Sequence, residues 1–242
     1  MSVTAHEAGI AWPGTPVDAA PRPRPERLTR RGRWATLEPL SAFDAAALWP
    51  HAAAAPESWT WLPVGPFNSE AAFKGFLRLA ANSAEEIIWT VRPHDAAGNP
   101  GAPAGWLALL DAKPAHASIE LGNVWFPPGL ARSRAATEAS FLLLDHVFDA
   151  LRYLRVGWKC NALHEASRRA AERLGFRHEG TLRAHMIARG RRRDTAWFSL
   201  LAEEWPERRK ALLDWLSPAN FDAAGRAIAS VARPMRPSDD LP

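Results

Sequence analysis

Polar and basic side chains cluster where a predicted strand is followed by a short loop and a predicted helix. Arg132, Ser133, Arg134 and Thr137 lie in the loop and first turn of that helix. The free backbone N–H groups and the dipole of a helix N-terminus favour a bound phosphate. The pattern therefore predicts an anion site, although on spacing alone a solvated helix start with two surface arginines is the simpler interpretation.

The elements that would position these side chains alternate between residues 118 and 183. The predicted order is strand 119–126, helix to roughly Leu151, strand 155–160, helix His164–Leu174 and a return strand from Phe176. The first strand carries a single acid, Glu120, and ends at a Pro-Pro-Gly sequence, because proline cannot donate to a ladder. Gly175 follows the second helix at the position where a left-handed residue ends a helix.

The composition indicates a globular protein whose charge is unevenly distributed. The chain has 242 residues, and 47% of them are hydrophobic, which is ample material for a core. The net charge is +4, yet residues 21–33 hold six arginines against Glu26, a net of +5, so the rest of the chain carries −1. The basic balance therefore reflects one segment and does not by itself indicate a nucleic-acid-binding face.

Cysteine content and hydropathy exclude several classes of protein. The single cysteine, Cys160, rules out an internal disulfide and a cysteine-rich zinc site, and we expect it to be a small buried residue on its strand. No apolar run approaches the ~20 residues needed to span a bilayer. The N-terminus lacks the basic and apolar regions of a signal peptide. We expect a soluble cytoplasmic protein without a membrane partner.

The N-terminal half contains a loop that is unusually rich in aromatic residues. Residues 57–67 have the prolines and glycine of a loop but carry Trp59, Trp61 and Phe67. Such a segment is either a lid packed over the core or one side of a pocket. The predicted elements around it are a strand over 33–40, a helix from 42 to about 49 that ends at Pro50, a helix after Asn68 or Ser69, and a hairpin with strands 87–92 and 106–111.

The order of motifs after residue 119 resembles the GNAT (Gcn5-related) N-acetyltransferase superfamily. The stretches that carry the resemblance are ELGNVWFPPGLARSRAATEASFLLLDHVF, WKCNALHEASRRAAERLGFRHEGTLRAHM and GRRRDTAWFSLLAEEWP. The ATEA helix start, the NxxS-like turn, the RLGFxxEG ending and the RDTxxFS strand follow the spacing of the RimJ/RimL-type ribosomal-protein N-terminal acetyltransferases. The resemblance extends from about Arg24 to Phe221.

The resemblance implies an α/β fold (an α+β mixed sheet) in which a mostly antiparallel central sheet is splayed at a V and flanked by helices. It divides the chain into a disordered or extended Pro/Arg-rich lead-in (1–26), the acetyltransferase domain (27–221) with a C-terminal helix (206–216), and a tail (222–242). It also implies transfer of an acetyl group from acetyl-CoA to a primary amine by direct attack in a ternary complex, with no metal.

The cofactor residues implied by the resemblance lie in three groups. They are Val124, Trp125, Phe126, Ala131, Arg132, Ser133, Arg134, Ala135, Ala136, Thr137, His164, Ser167 and Arg168. In the superfamily this loop has the sequence pattern Q/R-x-x-G-x-G/A, and here arginine occupies both glycine positions, at 132 and 134. His164 occupies the position of the asparagine in the family's N-x-x-S turn. The two arginines suggest that guanidinium groups supplement the backbone in binding phosphate.

Two residues are the catalytic candidates. Glu120 is the only acid in its strand and is expected to accept the proton of the amine, although an ion pair with a neighbouring arginine is the alternative. The tyrosine that many relatives use is Ala171 here, so the resemblance assigns Ser167 as donor to the departing sulfur; it could equally be an ordinary residue of the first helical turn. Trp59, Trp61 and Phe67 are expected to border the acceptor groove.

Two other classes of function remain open from the sequence. A GNAT-fold protein that binds CoA or a partner without catalysis is consistent with the substituted glycines and with His164. An RNA-associated protein would use the N-terminal arginines and those of the predicted hairpin tip (189–193), but solvated basic tips are common and no aromatic residues interleave at this tip. The acceptor amine, a protein N-terminus or a small molecule, is not named by the sequence, and neither is the choice between monomer and homodimer.

Overall fold

The computed structural model describes residues 13–231, and these form one eight-stranded sheet with helices on both faces. The strands are β1 (Arg30–Arg31), β2 (Ala35–Pro39), β3 (Glu86–Pro93), β4 (Gly105–Lys113), β5 (Ser118–Trp125), β6 (Arg155–Asn161), β7 (Arg177–Ala188) and β8 (Arg191–Leu201). The α-helices are α1 (Ala45–Ala54), α2 (Glu70–Ala81), α3 (Arg134–Asp145), α4 (Glu165–Leu174) and α5 (Trp205–Leu216).

The strand order is β1-β2-β3-β4-β5-β6-β8-β7, and every neighbouring pair is antiparallel except β5 and β6. The parallel pairing runs only from Ser118–Arg155 to Glu120–Gly157. Beyond these pairs β5 continues to Trp125 and β6 to Asn161 without contact through the ladder. The sheet is therefore mostly antiparallel and splayed at a V, as predicted.

Two hydrophobic clusters lie on opposite faces of the sheet. One is formed with α3, α4 and α5, and includes Cys160, which is buried as predicted. The other is formed with α1 and α2 and is rich in aromatic residues, among them Trp59, Phe73, Trp106 and Trp125. We call this second group the aromatic cluster. Because β5 contributes to both clusters, it is the strand around which the two layers meet.

Helix α3 begins where its sequence indicates. The Ser133 side chain accepts a hydrogen bond from the Ala136 amide at 3.0 Å, which is the N-cap arrangement favoured by serine. A π-helical turn, His146–Ala150, continues the helix almost to Leu151. Gly175 ends α4 with a φ of 101°, the left-handed conformation expected of it.

Two predicted boundaries are wrong. Pro50 does not end the first helix, because α1 runs to Ala54 with Pro50 inside it and with Leu48 and Ala52 packed in the core. That packing outweighs the backbone bond that proline removes. The last hairpin is also longer than predicted, since β7 and β8 approach within two residues of each other at Arg189 and Gly190.

The predicted division into lead-in, domain and tail stays a prediction. Residues 1–12 and 232–242, including the predicted frayed end, lie outside the described residues. Within 13–26, Arg22 is buried and its Nε donates to the Arg152 carbonyl at 2.8 Å. Past Phe221, the Ala229 carbonyl accepts from Trp215 Nε1 and Val231 is buried. Packed contacts therefore extend beyond both predicted limits of the domain.

Candidate active site

The opening between β5 and β6 is widened by an irregularity in β5. The register against β4 shifts between Trp106–Trp125 and Ala108–Gly122, and Asn123 has a φ of 46° in between. This is a β-bulge, which bends a strand and strengthens its twist. The Asn123 side chain donates to Glu86 Oε2 at 2.9 Å and so fixes the bulge. Val124, Trp125 and Phe126 follow the bulge and lie beyond Glu120, the last residue that β5 pairs with β6.

The loop before α3 presents unused backbone donors at the end of this opening. The amides of Ala131, Ser133 and Ala136 are bonded within the loop and cap. Within residues 13–231, those of Arg132, Arg134 and Ala135 have no hydrogen-bond acceptor. Ala135 and Ala136 turn their side chains into the core, so only their backbone faces the loop. Free amides beside a helix N-terminus form an anion-binding arrangement.

Neither arginine at the glycine positions obstructs this loop. Arg132 adopts a φ of 62°, the left-handed region that glycine favours, and its side chain is exposed. The Arg134 guanidinium stacks on Trp34, 3.9 Å from the ring centroid, and lies 5.5 Å from the Phe221 ring centroid. The chain therefore keeps the backbone shape of a glycine loop, and the Arg134 guanidinium is engaged by an aromatic surface.

Two charged residues that the sequence interpretation did not single out hold the start of α3. The buried carboxylate of Glu138 accepts hydrogen bonds from the amides of Arg33, Trp34 and Ala35 at 2.5–2.9 Å. An acid within the apolar ATEA turn was the available signal. On the other side, Arg173 donates to Thr137 Oγ1 at 3.0 Å, and burial lowers the pKa of its guanidinium. α4 thus directs the Arg173 side chain towards the start of α3.

Glu120 is almost completely buried beside the opening. Its Oε2 lies 2.8 Å from Lys159 Nζ on β6, and the Lys159 ammonium lies 5.3 Å from the Trp197 ring centroid. Burial raises the pKa of the Glu120 carboxyl, and the bond from Lys159 opposes that rise. An ion pair was the alternative for Glu120, and its partner is a lysine where an arginine was considered. The role of general base stays a prediction.

Ser167 and His164 lie on the other side of the opening, at the start of α4. Trp158 Nε1 donates to Ser167 Oγ at 3.1 Å, so the serine hydroxyl keeps its own proton for another acceptor. The His164 ring stacks on Trp61 with centroids 4.8 Å apart. Burial and the nearby Arg193 charge lower the pKa of His164 to about 4, which leaves it neutral at pH 7. Arg168 has a buried Nε with no hydrogen-bond partner within the described chain.

The three aromatic residues predicted to border the acceptor groove differ in position. We call residues 57–67 the tryptophan loop. Trp59 is fully buried and stacks on Trp125 at a centroid distance of 4.7 Å, so it belongs to the packed lid. Phe67 is partly exposed and lies edge-on to Trp59. Trp61 is 38% exposed and reaches across to α4.

Arg189, at the tip of the β7–β8 hairpin, holds the tryptophan loop. Its terminal nitrogen donates to the carbonyls of Trp59, Leu62, Val64 and Gly65 at 2.7–3.2 Å. Sequence patterns gave no signal for this contact, because 124–130 residues separate the partners. Arg192 at the same tip pairs with Asp194 at 2.8 Å. These two tip arginines are thus engaged within the protein, which argues against the RNA-associated interpretation.

Three other features bear on function within residues 13–231: metal sites, membrane spans and cavities. That part of the chain contains no group of three or more His, Cys, Asp or Glu side chains arranged to hold a metal ion. It also contains no helix with the length and apolar character of a membrane span. A cavity of about 530 Å³ lies between α5 and residues 217–230, and none of the predicted site residues lines it.

Comparisons with known proteins identify a family and several relatives of this chain. A family model described as an acetyltransferase (GNAT) domain matches residues 35–177. A GCN5-related N-acetyltransferase from Brucella melitensis, of known crystal structure, is 42% identical; the match covers 88% of this chain and 96% of that one, with a TM-score of 0.82. Mycobacterium smegmatis RimJ, solved with CoA-disulfide, shares the fold at 22% identity and a TM-score of 0.61, over 74% of this chain and 88% of its own.

A curated relative from Bacillus subtilis (strain 168) is named "Putative ribosomal N-acetyltransferase YdaF". It is 29% identical over 105 residues, which cover 43% of this chain and 57% of that protein. Its name supports the resemblance to the RimJ/RimL-type branch. The family model spans more than half of the chain, and the Brucella melitensis relative spans most of it. The chain belongs to the GNAT family of N-acetyltransferases.

Proposed function

We propose that this GNAT protein transfers an acetyl group from acetyl-CoA to a primary amine by direct attack in a ternary complex. The observation that carries the proposal is the bulged opening between β5 and β6, which ends at the free amides before α3. Glu120 borders it on one side and Ser167 on the other. One site thus offers an anion-binding end, a proton acceptor and a proton donor.

The residues around the opening fit the cofactor. Acetyl-CoA, when bound, supplies an acetyl group activated as a thioester. The amides of Arg132, Arg134 and Ala135 would bind its pyrophosphate, and the unpartnered Arg168 Nε offers a further donor. The backbone of Val124–Phe126, unpaired on the β6 side, would bind the extended pantetheine arm as an added strand does.

Proton transfer is assigned to two side chains. Glu120 would take the proton of the attacking amine, and its burial raises the pKa of the carboxyl toward that of a useful base. The Ser167 hydroxyl, fixed by Trp158, would donate to the sulfur as negative charge develops there. His164 stays neutral on Trp61 and can donate one hydrogen bond nearby.

The test is turnover with a panel of peptides and small amines, measured as free thiol released and as acetylated product by mass spectrometry. The name of YdaF favours a protein N-terminus as acceptor. Acetyl-CoA should also raise the melting temperature, because binding to the native state stabilises it by a free energy of RT ln(1 + [L]/Kd). Arg132→Glu should reduce that shift. No shift at millimolar acetyl-CoA would contradict the cofactor assignment.

The Lys159–Glu120 ion pair favours one alternative, a GNAT-fold protein that binds CoA or a partner without catalysis. A carboxylate held at 2.8 Å by an ammonium is a weaker base than a free one. Such a protein would show the acetyl-CoA thermal shift and release no thiol with any amine of the panel. Turnover with even one amine decides for the enzyme.

A further inference from the structure

Arg193 stands at the mouth of the opening between β5 and β6. It lies on β8, opposite Met186 of β7, and two residues before Thr195, which pairs with Asn161 at the end of β6. Because side chains alternate along a strand, Arg193 shares a face with Thr195 and Trp197. This is the face on which the Lys159 ammonium contacts the Trp197 ring and Glu120.

Unlike two of its neighbours in the hairpin, Arg193 pairs with no carboxylate and no carbonyl among residues 13–231. Arg189 donates to four carbonyls and Arg192 pairs with Asp194. Arg193 is half-buried, and its Nε is buried without a hydrogen-bond partner in the described part of the chain. A buried guanidinium donor left unpaired is costly, so a missing acceptor is the expected explanation.

Arg193 also lacks an ion pair among the described residues. Lys159 pairs with Glu120 at 2.8 Å, whereas within residues 13–231 no acid lies at ion-pair distance from the Arg193 guanidinium. It acts on the site nonetheless, because it lowers the pKa of both Glu120 and His164. The side of the opening next to the tryptophan loop therefore carries one positive charge and free guanidinium donors.

We propose that Arg193 binds a carboxylate of the acceptor, so that the preferred substrates are amines with a carboxylate a few bonds from the nucleophilic nitrogen. A guanidinium matches a carboxylate in geometry and can bind it through two hydrogen bonds. The acceptor would supply the partner that the Arg193 Nε lacks. The proposal rests on the proposed function and adds the acceptor's chemical class to it. The carboxylate can come from a side chain near a protein N-terminus or from a free amino acid.

The experiment compares acceptors with and without that charge. One arm uses tetrapeptide amides with aspartate or asparagine as the second residue, and the other uses free amino acids and their α-amides. The ratio of kcat/KM for acid over amide is measured at saturating acetyl-CoA for wild type, Arg193→Gln and Arg192→Gln. We expect a ratio of about tenfold or more in wild type, since one charge-assisted hydrogen bond accounts for that much. The arm that shows it identifies the source of the carboxylate.

Arg193→Gln should bring the ratio close to one, and Arg192→Gln, whose side chain already pairs with Asp194, should keep it. Calorimetric titration of the same acids and amides in the presence of CoA provides a reading that needs no turnover. Melting temperatures confirm that each variant is folded. This second measurement separates the two proposals, because a protein that acetylates nothing would still show whether Arg193 selects acids.

Three results would overturn the proposal. The first is a wild type that treats acid and amide alike in both turnover and binding. The second is an acid preference that survives in Arg193→Gln. The third is an equal loss for acid and amide accompanied by weaker acetyl-CoA binding, which would assign Arg193 to the cofactor. In each case, acetylation of an amine that lacks a carboxylate would leave the proposed function intact.

Discussion

The face of the sheet that carries Glu120 is divided into two unlike halves. Under α1 and α2 it is covered by the aromatic cluster, in which Trp59, Trp106 and Trp125 are almost completely buried. Beyond β5, the strands β6, β8 and β7 carry charged residues on that face, including Lys159, and β7 is exposed along nearly its whole length. The two halves meet at the opening between β5 and β6.

The two halves contribute differently: the aromatic cluster stabilises the fold, and the charged half holds the groups proposed to react. Stacked rings in a buried cluster hold one side of the opening in place through dispersion and buried apolar area. The charged half offers protons and a positive charge, and its ion pairs are at least partly accessible to solvent. Substitutions in the aromatic cluster should therefore lower the free energy of unfolding, whereas those in the charged half should change rate, affinity or pH dependence.

The largest effect is expected from Trp59→Ala. Trp59 is fully buried against Trp125, and removal of a core aromatic typically costs about 3–5 kcal/mol of unfolding free energy. Urea unfolding measures the loss. Trp61→Ala, at a side chain that is 38% exposed, is the matched control and should cost about 1 kcal/mol or less. Equal losses would remove the distinction between the buried and exposed parts of the tryptophan loop.

Glu120→Gln tests the chemistry of the charged half. The amide keeps the shape but cannot take a proton, so turnover should fall about 10²–10⁴-fold while the affinity for acetyl-CoA is kept. Lys159→Met is the companion variant. Since Lys159 opposes the raised pKa of Glu120, its removal should move the acid limb of the pH–rate profile to higher pH. A profile unchanged in Glu120→Gln would make Glu120 a structural residue.

Arg189→Ala tests the contact that joins the β7–β8 hairpin of the charged half to the tryptophan loop. With its four carbonyl contacts gone, the tryptophan loop loses its position, and KM for the acceptor should rise about tenfold while the Kd for acetyl-CoA stays the same. Arg189→Lys should recover part of the loss. Arg191→Ala, at an exposed side chain of the same hairpin, is the control. An unaltered KM in Arg189→Ala would show that the loop keeps its position without the guanidinium.

Ser167→Ala should give a smaller loss in the chemical step. One neutral hydrogen bond accounts for about 0.5–1.5 kcal/mol, or roughly two- to tenfold in rate. Single-turnover kinetics measure it, with cofactor affinity and melting temperature determined on the same variant. A normal single-turnover rate with a lower melting temperature would mean that Ser167 only supports Trp158 and the first turn of α4.

A further effect concerns pH. The pKa of His164 is lowered from 6.5 to about 4, so between these values the unfolded chain binds a proton that the folded protein does not. The free energy of unfolding should therefore fall as pH drops from 6.5 towards 4. His164→Phe keeps an aromatic ring against Trp61 and should flatten part of that dependence. His146, whose pKa is lowered to about the same value, should preserve the remainder.

Local patterns predicted the elements around the site because each depends on neighbours in the sequence. Gly175 ends α4 and Cys160 is buried, both as expected. Contacts between distant segments left no such trace. The stack of Arg134 on Trp34 and the Lys159–Glu120 pair depend on how helices and strands cross, which single-segment patterns do not encode.

The contact of Arg189 with the tryptophan loop has a consequence for synthesis on the ribosome. The chain emerges from its N-terminus, so the loop is made 124–130 residues before the arginine that holds it. α1, α2 and the first strands can pack while the loop between them still lacks its last contact. A nascent chain therefore fixes its tryptophan loop only once the final hairpin has been translated, long after most of the aromatic cluster has emerged.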